Sequence, residues 1–310
     1  MGSSYLALGY ECNHNCICCP LTTYDRLHKR LSYEEIQKRL DKLSYADSQK
    51  HLVISGGEPM LHPQFQRIIE FAGEKGFHIT VLSNVSLCKD RGFVKELKSH
   101  IPDGCFDIVT AIHSSVPQIH DSITGIPGSL LDTLEGLDNL VSAKIPVTIK
   151  HIFSRKSLGT LIETIQYLEQ HFPPQVAFQF STMDYSGRAM KHIEELFVTI
   201  EDIRLQLEKA LDYLEGRMSV KRRISIIESP LCMIDPYYWK YYYLSGVPLD
   251  GYIAPNTDEV DVCMQVESEC GSYFPPCSVC TVKNICSGTW KSAYQYGGDR
   301  LLNPIHANIF

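Results

Sequence analysis

The chain has 310 residues, of which 44% are hydrophobic and 21% are charged, and its formal net charge is −7. It is long enough to bury one large core, with or without a small second domain. The acidic balance provides no basic face for nucleic acid, and no apolar run reaches the ~20 residues of a membrane span. The N-terminus also lacks the features of a secretory signal. We therefore expect a cytoplasmic protein with neither a nucleic-acid nor a membrane partner.

Apolar strands and amphipathic helices alternate through the first two-thirds of the chain. Strands are predicted at residues 5–10, 51–55, 77–83, 107–112, 147–153 and 175–180. The first helix is predicted from Ser32, which forms a capping box with Glu35, and others at residues 63–75, 91–99, 129–142, 158–171 and 199–214. Six β-α units in series predict an α/β fold, a partial (β/α)6 parallel barrel. The reactive site of such a fold lies at the carboxyl ends of the strands.

The pattern changes after residue 216. Residues 217–227 are compatible with one further strand, and the remainder is rich in Cys, Pro and Gly with little periodicity. A bound metal that links distant segments would explain how such a region stays ordered. We therefore predict a barrel domain over residues 1–216 and a small Cys-rich domain over residues 217–310.

Cysteine is the most informative residue type in the chain. Of the twelve cysteines, four lie within residues 12–19 and five within residues 263–286, whereas Cys88 and Cys105 are isolated and read as ordinary buried thiols. In a chain of this size without a secretory signal, tight clusters indicate metal ligands rather than disulfides.

The first cluster has the spacing C-x3-C-x2-C in Cys12, Cys16 and Cys19, directly after the first predicted strand. Thiolates are the usual ligands of iron–sulfur clusters. Three ligands on a four-iron cluster leave one iron open to an exchangeable ligand, which a four-cysteine electron-transfer site does not. Cys18 creates a competing register, and zinc is the rival metal for this loop.

This spacing, together with Gly56-Gly57-Glu58-Pro59 after the second strand, resembles the radical S-adenosylmethionine (SAM) superfamily over roughly residues 5–215. The resemblance implies a 4Fe–4S cluster on the three cysteines, with SAM chelating the open iron. It also implies that the Gly-Gly-Glu-Pro segment binds the methionine amino group. The Glu58 carboxylate can accept a hydrogen bond from this group in its ammonium form. Reductive cleavage of SAM would then give a 5′-deoxyadenosyl radical that abstracts hydrogen from substrate, with the electron coming from a donor such as flavodoxin or ferredoxin.

Weaker matches to the family's cofactor-binding positions follow three later strands. Ser83 and Asn84 match a ribose or carboxylate contact, His113 and Ser114 match polar contacts to cofactor or substrate, and Arg188 matches a Gly-Arg-Ala stretch near the adenine. Asn84 is equally typical of a turn that ends a strand. His113 fits equally well as a hydrogen-bonded structural histidine.

The second cluster has the spacing C-x2-C-x5-C in Cys277, Cys280 and Cys286. It resembles the core of the SPASM extension, or of its shorter twitch version, which binds auxiliary 4Fe–4S clusters in radical SAM enzymes. A further cysteine of the full motif is replaced by Trp290, so the resemblance implies one auxiliary cluster; a four-cysteine zinc site is the alternative.

We predict that Cys232 is the fourth auxiliary ligand. Cys263 and Cys270 are the rivals, but they flank the acidic residues Glu267 and Glu269, which would repel an anionic cluster. If Cys232 is not a ligand, its catalytic alternative is to donate a hydrogen atom to the product radical, as thiols do in radical epimerases.

Two enzyme classes and one non-enzymatic class fit these features. The first is maturation of a ribosomally synthesised peptide by cross-linking, epimerisation or a related change. The second is radical dehydrogenation, epimerisation or rearrangement of a small metabolite or sugar. The third, an electron-transfer or zinc protein, is disfavoured by the open-iron spacing together with the Gly-Gly-Glu-Pro segment. The aromatic tract at residues 236–243 is compatible with a peptide contact and with a packed cover over the barrel mouth.

Overall fold

The computed structural model of the chain describes residues 3–22, 25–27, 30–46, 50–217, 222–242, 249–253 and 271–306. The rival ligands Cys263 and Cys270 lie outside the described residues. Eight strands form one sheet: β1 (Ser3–Ala7), β2 (His51–Ser55), β3 (His78–Leu82), β4 (Phe106–Ala111), β5 (Val147–Ile152), β6 (Ala177–Ser181), β7 (Ile224–Ile227) and β8 (Leu249–Ile253). Every neighbouring pair is parallel. The order is β7-β6-β5-β4-β3-β2-β1-β8, so β7 and β8 are the edges of an open sheet.

Helices follow each of the strands β1 to β6, and one further helix follows β8. They are α1 (Tyr33–Ala46), α2 (Phe65–Glu74), α3 (Arg91–His100), α4 (Pro117–Thr124), α5 (Ser129–Ser142), α6 (Arg155–Leu158), α7 (Leu161–His171), α8 (Gly187–Lys191), α9 (Ile193–Leu196), α10 (Ile200–Gly216) and α11 (Lys291–Gly297). None of the helices in the described part of the chain combines the length and the apolar character that crossing a bilayer requires.

The predicted α/β fold is confirmed, with the six predicted strands parallel and in sequential order. The predicted capping box also forms, since Glu35 N donates to Ser32 Oγ at 3.2 Å and Ser32 N donates to Glu35 Oε2 at 2.7 Å. The sequence patterns missed α4 and β8. β7 pairs with β6 in the same sheet, so the Cys-rich segment begins as a continuation of the barrel.

The two faces of the sheet have different surroundings. On one face, alternate residues such as Ile54, Ile149 and Phe180 are buried against the helices in a single hydrophobic core. The opposite face carries half-buried and largely polar residues, and we call it the polar face: Tyr5, Val53, Thr80, Asp107, Lys150, Gln179 and Ser225. The strand register places these residues side by side, for example Lys150 beside Gln179 and Gln179 beside Ser225. The sheet thus buries one apolar face and presents a polar one.

Candidate active site

The first cysteine cluster lies in a loop that follows β1 and is fixed from two sides. On one side Asn15 N donates to Thr124 O at 2.9 Å and Ile17 N to Ile123 O at 2.8 Å, at the end of α4. On the other side the Cys19 carbonyl accepts hydrogen bonds from the first turn of α8, from Arg188 N at 3.0 Å and Ala189 N at 3.2 Å. These hydrogen bonds hold the loop in a defined shape between α4 and α8.

Electrostatic interactions group Cys12 with Cys16 and Cys19. Burial raises the pKa of Cys12 to about 11, and the nearby charges of Glu58, Cys16 and Cys19 add to the rise, whereas the backbone N–H of His14 opposes it. Cys18 instead lies with its Sγ atom 3.9 Å from Nε2 of His113. Cys18 also makes a side-chain hydrogen bond with Cys16, which is the largest cause of the raised pKa of Cys16. The choice of Cys19 over Cys18 as the third ligand therefore stays a prediction.

The two glycines after β2 allow the second loop to touch the first. Gly57 N donates to Gly9 O and Glu58 N donates to Glu11 O, both at 2.8 Å. A Cβ atom on Gly56 would lie 2.1 Å from Gly9 O, and one on Gly57 would lie 2.1 Å from Glu11 O. Gly56 also has φ of 121°, which favours glycine. The glycines are thus needed for backbone contact with the cysteine loop.

The Glu58 carboxylate is buried at the centre of these loops, beside the buried Pro59 that begins a short 3-10 turn. Its oxygens accept hydrogen bonds from Met60 N at 3.0 Å, Ser83 Oγ at 2.8 Å and Asn84 N at 2.8 Å. Burial raises the pKa of Glu58 to about 7, while these three hydrogen bonds lower it. Glu58 thus ties the ends of β2 and β3 together, and its contact with the SAM ammonium stays a prediction.

Two of the weaker candidates also brace the cysteine loop. Asn84 donates through Nδ2 to Asn13 Oδ1 at 2.8 Å, and Asn13 donates through Nδ2 to Ser86 Oγ at 2.7 Å. The Arg188 guanidinium donates to Asn15 Oδ1 on the same loop. Their positions agree with a role beside the cofactor, and that role stays a prediction.

His113 and Ser114 lie deeper, where β4 ends. The Ser114 hydroxyl is hydrogen-bonded to Thr160 Oγ1 at 2.8 Å and accepts from Val116 N at 3.1 Å, so both contacts are structural. His113 is buried with His120 and His151, and burial lowers the pKa values of these three to about 4, 3 and 3. His113 is thus a neutral imidazole that faces Cys18.

The second cysteine cluster surrounds a pocket of about 370 Å³, partly open to solvent, whose lining includes Cys232, Cys277, Cys280 and Cys286. Burial raises the pKa of Cys232 to about 12, the backbone N–H of Asn303 opposes the rise, and the charges of the other three cysteines add to it. Cys232, 45 residues upstream of Cys277 in the sequence, is therefore at the same pocket. Among the described residues, no group of three or more His, Cys, Asp or Glu side chains is placed to hold a single metal ion.

The aromatic tract packs behind this pocket. Tyr238, Trp239 and Tyr242 are buried, whereas Tyr237 is exposed. Trp239 Nε1 donates to the carbonyl oxygen of Leu231 at 3.0 Å, and Tyr242 Oη donates to that of Pro230 at 3.0 Å. The tract thus holds the segment that carries Cys232, which favours its interpretation as a packed cover.

Sequence patterns missed the contribution of α4 to the site. Its last residues pair with the cysteine loop, and a Cβ atom on Gly125 would lie 2.6 Å from Asn15 O. The signals were present, because Pro117 at the start and Gly125 just after the end are typical of helix boundaries. The helix has only eight residues, which is too short for a clear apolar period.

Comparison with known proteins identifies the family. The sequence profile of the radical SAM superfamily matches residues 6–170, which is more than half of the 310 residues. The chain belongs to the radical SAM superfamily. It therefore carries the domain in which a 4Fe–4S cluster and SAM are bound in this family, and the sequence-based assignment is confirmed.

Individual relatives are distant. The Fe-coproporphyrin III synthase of Methanosarcina barkeri is 25% identical over 203 residues, covering 65% of this chain and 49% of its own. The subtilosin biosynthesis protein AlbA of Bacillus subtilis is 25% identical over 183 residues, covering 58% of this chain and 39% of its own. This chain thus spans half or less of the length of these two relatives. Streptococcus suis SuiB, solved with its precursor peptide SuiA, shares the fold at a TM-score of 0.67 and 12% identity, over 99% of this chain and 75% of SuiB.

Replacing Gly57 with alanine should separate the two loops. The new Cβ would displace the Glu11 carbonyl, and overpacking of this kind costs ~1–3 kcal/mol. We expect a lower midpoint of thermal unfolding and less iron bound after anaerobic reconstitution. Gly159→Ala is the matched control, because its Cβ would meet nothing within 4 Å. Equal iron content in the Gly57→Ala and Gly159→Ala proteins would contradict this account of the loop.

Proposed function

We propose that this protein is a radical SAM enzyme that modifies a ribosomally synthesised peptide, with Cys12, Cys16 and Cys19 holding the catalytic 4Fe–4S cluster. The observation that carries the assignment is the contact between the cysteine loop and the Gly-Gly-Glu-Pro loop, within a matched radical SAM domain. When bound, the cluster and SAM supply electron transfer and a carbon radical that takes hydrogen from substrate. An external electron donor and a cytoplasmic location belong to the same proposal.

The donor chemistry of the loop fits an iron–sulfur cluster. Cys12, Cys16 and Cys19 offer sulfur ligands, and each lies at a partly exposed position of a loop whose backbone is held by neighbouring elements. The Glu58 carboxylate lies close enough to Cys12 to affect its pKa. A carboxylate at this position favours a cationic ligand group beside the cluster.

We propose an auxiliary 4Fe–4S cluster on Cys232, Cys277, Cys280 and Cys286. One observation supports this site: the four thiols line a single pocket. Backbone N–H groups of Leu231 and Gly288 donate to Cys286 Sγ at 3.4 and 3.3 Å. Such hydrogen bonds stabilise thiolate ligands and tune cluster potential. Four protein ligands favour an electron-transfer role for this cluster.

Two of the relatives support a peptide as the substrate class, and a third supports a small molecule. SuiB binds the precursor peptide SuiA in its solved complex, and AlbA acts in the biosynthesis of a bacteriocin. The second candidate is a small molecule, favoured by the similarity to Fe-coproporphyrin III synthase. The test is an anaerobic assay of the reconstituted protein with SAM, dithionite and short peptides encoded beside its gene, read by mass spectrometry. A mass change in a peptide supports the first candidate, and a mass change in an added small molecule with none in any peptide favours the second.

Removing the three cluster ligands should abolish SAM cleavage. We expect the triple Cys→Ala variant at positions 12, 16 and 19 to form no 5′-deoxyadenosine under dithionite, because no iron remains to donate the electron. Cys18→Ala is the matched control, since this thiol faces His113 and should be dispensable for iron binding. Undiminished cleavage in the triple variant, or loss of the catalytic cluster in Cys18→Ala, would refute the assigned ligands.

Replacing Glu58 with glutamine should weaken SAM binding. The variant loses a charge-assisted contact worth ~1.5–3 kcal/mol, so the dissociation constant should rise roughly tenfold or more. Glu163→Gln is the matched control, because it makes the same change at an exposed position on α7. Calorimetric titration of the anaerobic protein with SAM measures both. Equal affinity in wild type and Glu58→Gln would show that the carboxylate does not contact the ammonium.

The Cys232→Ala variant distinguishes two roles for this thiol. As an auxiliary ligand, its loss should lower the iron content by up to ~4 irons per chain. As a hydrogen-atom donor, its loss should leave iron constant while product fails to form. Cys105→Ala serves as the control for thiol loss elsewhere. Full iron content together with full turnover in Cys232→Ala would exclude both roles.

A further inference from the structure

A charged pair lies on the polar face of the sheet, at the carboxyl ends of β5, β6 and β7. Lys150 Nζ donates to Glu228 Oε2 at 2.9 Å. Ser181 Oγ donates to the same oxygen at 2.7 Å. The Lys150 side chain is 19% exposed and that of Glu228 is 33% exposed, so both remain accessible. In parallel α/β folds this edge of the sheet carries the reactive site.

The backbone at Glu228 is held in an unfavourable conformation. Glu228 has φ of 51°, which a residue with a large side chain adopts only when its surroundings enforce it. Thr182 provides that constraint, because its Oγ1 donates to the Glu228 carbonyl and its N–H donates to Ser229 Oγ at 3.1 Å. Ser287, beside Cys286, donates to the Ser229 carbonyl at 2.8 Å. The turn therefore fixes Glu228 between the barrel mouth and the auxiliary pocket.

The hydrogen bonds leave one oxygen of this carboxylate available. Lys150 and Ser181 both donate to Oε2, and within the described ranges no group hydrogen-bonds to Oε1. Burial raises the pKa of Glu228, but the charge of Lys150 and the hydrogen bonds from Lys150 and Ser181 lower it further, so the pKa lies below its usual value. The pair thus offers an ionised acceptor next to an ammonium donor and is neutral as a whole.

We propose that Glu228 and Lys150 bind a backbone amide of the substrate, with Oε1 of Glu228 accepting from the amide N–H and Lys150 donating to a nearby carbonyl. This assignment deepens the proposed function and rests on its peptide substrate. A neutral pair gives no net attraction to an anion or a cation, whereas an amide supplies both a donor and an acceptor. Such contacts are independent of side-chain identity, so they position the chain of a peptide and leave specificity to other residues.

Glu228→Gln tests the acceptor without changing the size of the side chain. Because the Lys150 ammonium has only donors and needs an oxygen at the Oε2 position, we expect the new NH2 group at the Oε1 position, where it presents donors to the substrate N–H. Asp132→Asn is the matched control, since it alters the surface ion pair that Lys89 Nζ makes with Asp132 Oδ2 at 2.8 Å on α5. Glu228→Ala is a second variant that removes the acceptor altogether.

The probes are two libraries of random octapeptides that are capped at both ends and carry no charged side chains. One library has ordinary amides, and the other is N-methylated along the backbone and so lacks N–H donors. The reconstituted proteins with bound SAM are incubated with each library, and retained peptide is quantified by mass spectrometry after size exclusion. Iron content and thermal unfolding confirm that each variant is folded.

We expect the wild type and Asp132→Asn to retain the ordinary library better than the methylated one. Glu228→Gln should retain about fivefold less of the ordinary library, with no change for the methylated library. Equal retention of the ordinary library by Glu228→Gln and wild type would overturn this assignment and leave the peptide function standing. If the wild type retains neither library, this assignment fails, and the assay with the encoded peptides decides the peptide function. If Glu228→Gln does not fold, the same comparisons apply to Glu228→Ala.

Discussion

The backbone contact between the loops after β1 and β2 is the constraint on which the rest of the site depends. Gly57 N and Glu58 N donate to the carbonyls of Gly9 and Glu11, which leaves no room for a side chain at either glycine. This contact places a buried carboxylate within electrostatic range of Cys12. A proposed cluster ligand and a group suited to the cofactor's ammonium thus become neighbours because two parallel strands end side by side.

Burying the Glu58 carboxylate costs folding free energy, and hydrogen bonds from the surrounding loops offset this cost. Glu58 is buried away from water, and an unpaired charge there would be strongly unfavourable. Hydrogen bonds from Met60, Ser83 and Asn84 offset much of this cost, and they join the end of β3 to the same centre. Glu58, which the sequence predicts to be a cofactor contact, therefore also links the ends of β1, β2 and β3. The two roles are compatible, because a cation beside the carboxylate would add to the same stabilisation.

The auxiliary pocket is joined to the barrel by short polar links. Ser292 Oγ on α11 donates to Asp184 Oδ1 at 2.7 Å and accepts from Tyr185 N at 3.0 Å, just after β6. Ser287 reaches the turn after β7. These contacts hold an irregular, Cys-rich segment against the mouth of the barrel, so the two cysteine clusters share the side of the molecule at which the parallel strands end. Electron exchange between substrate and an auxiliary cluster would need this proximity.

The sequence by itself determined the fold class, the order of the first six strands and the resemblance of the first cysteine loop and the Gly-Gly-Glu-Pro segment to the radical SAM superfamily. These features follow from local patterns: the period of apolar residues, the capping box at Ser32, and cysteine and glycine spacings that few other structures require. Only the tertiary structure brought Cys232 to the pocket of Cys277, Cys280 and Cys286, and only it paired Lys150 with Glu228 across 78 positions of the chain. Such pairings depend on strand register and on the route of an irregular segment, which no local pattern records. α4 and β8 were missed for the same reason, because each is short and is stabilised by what it packs against.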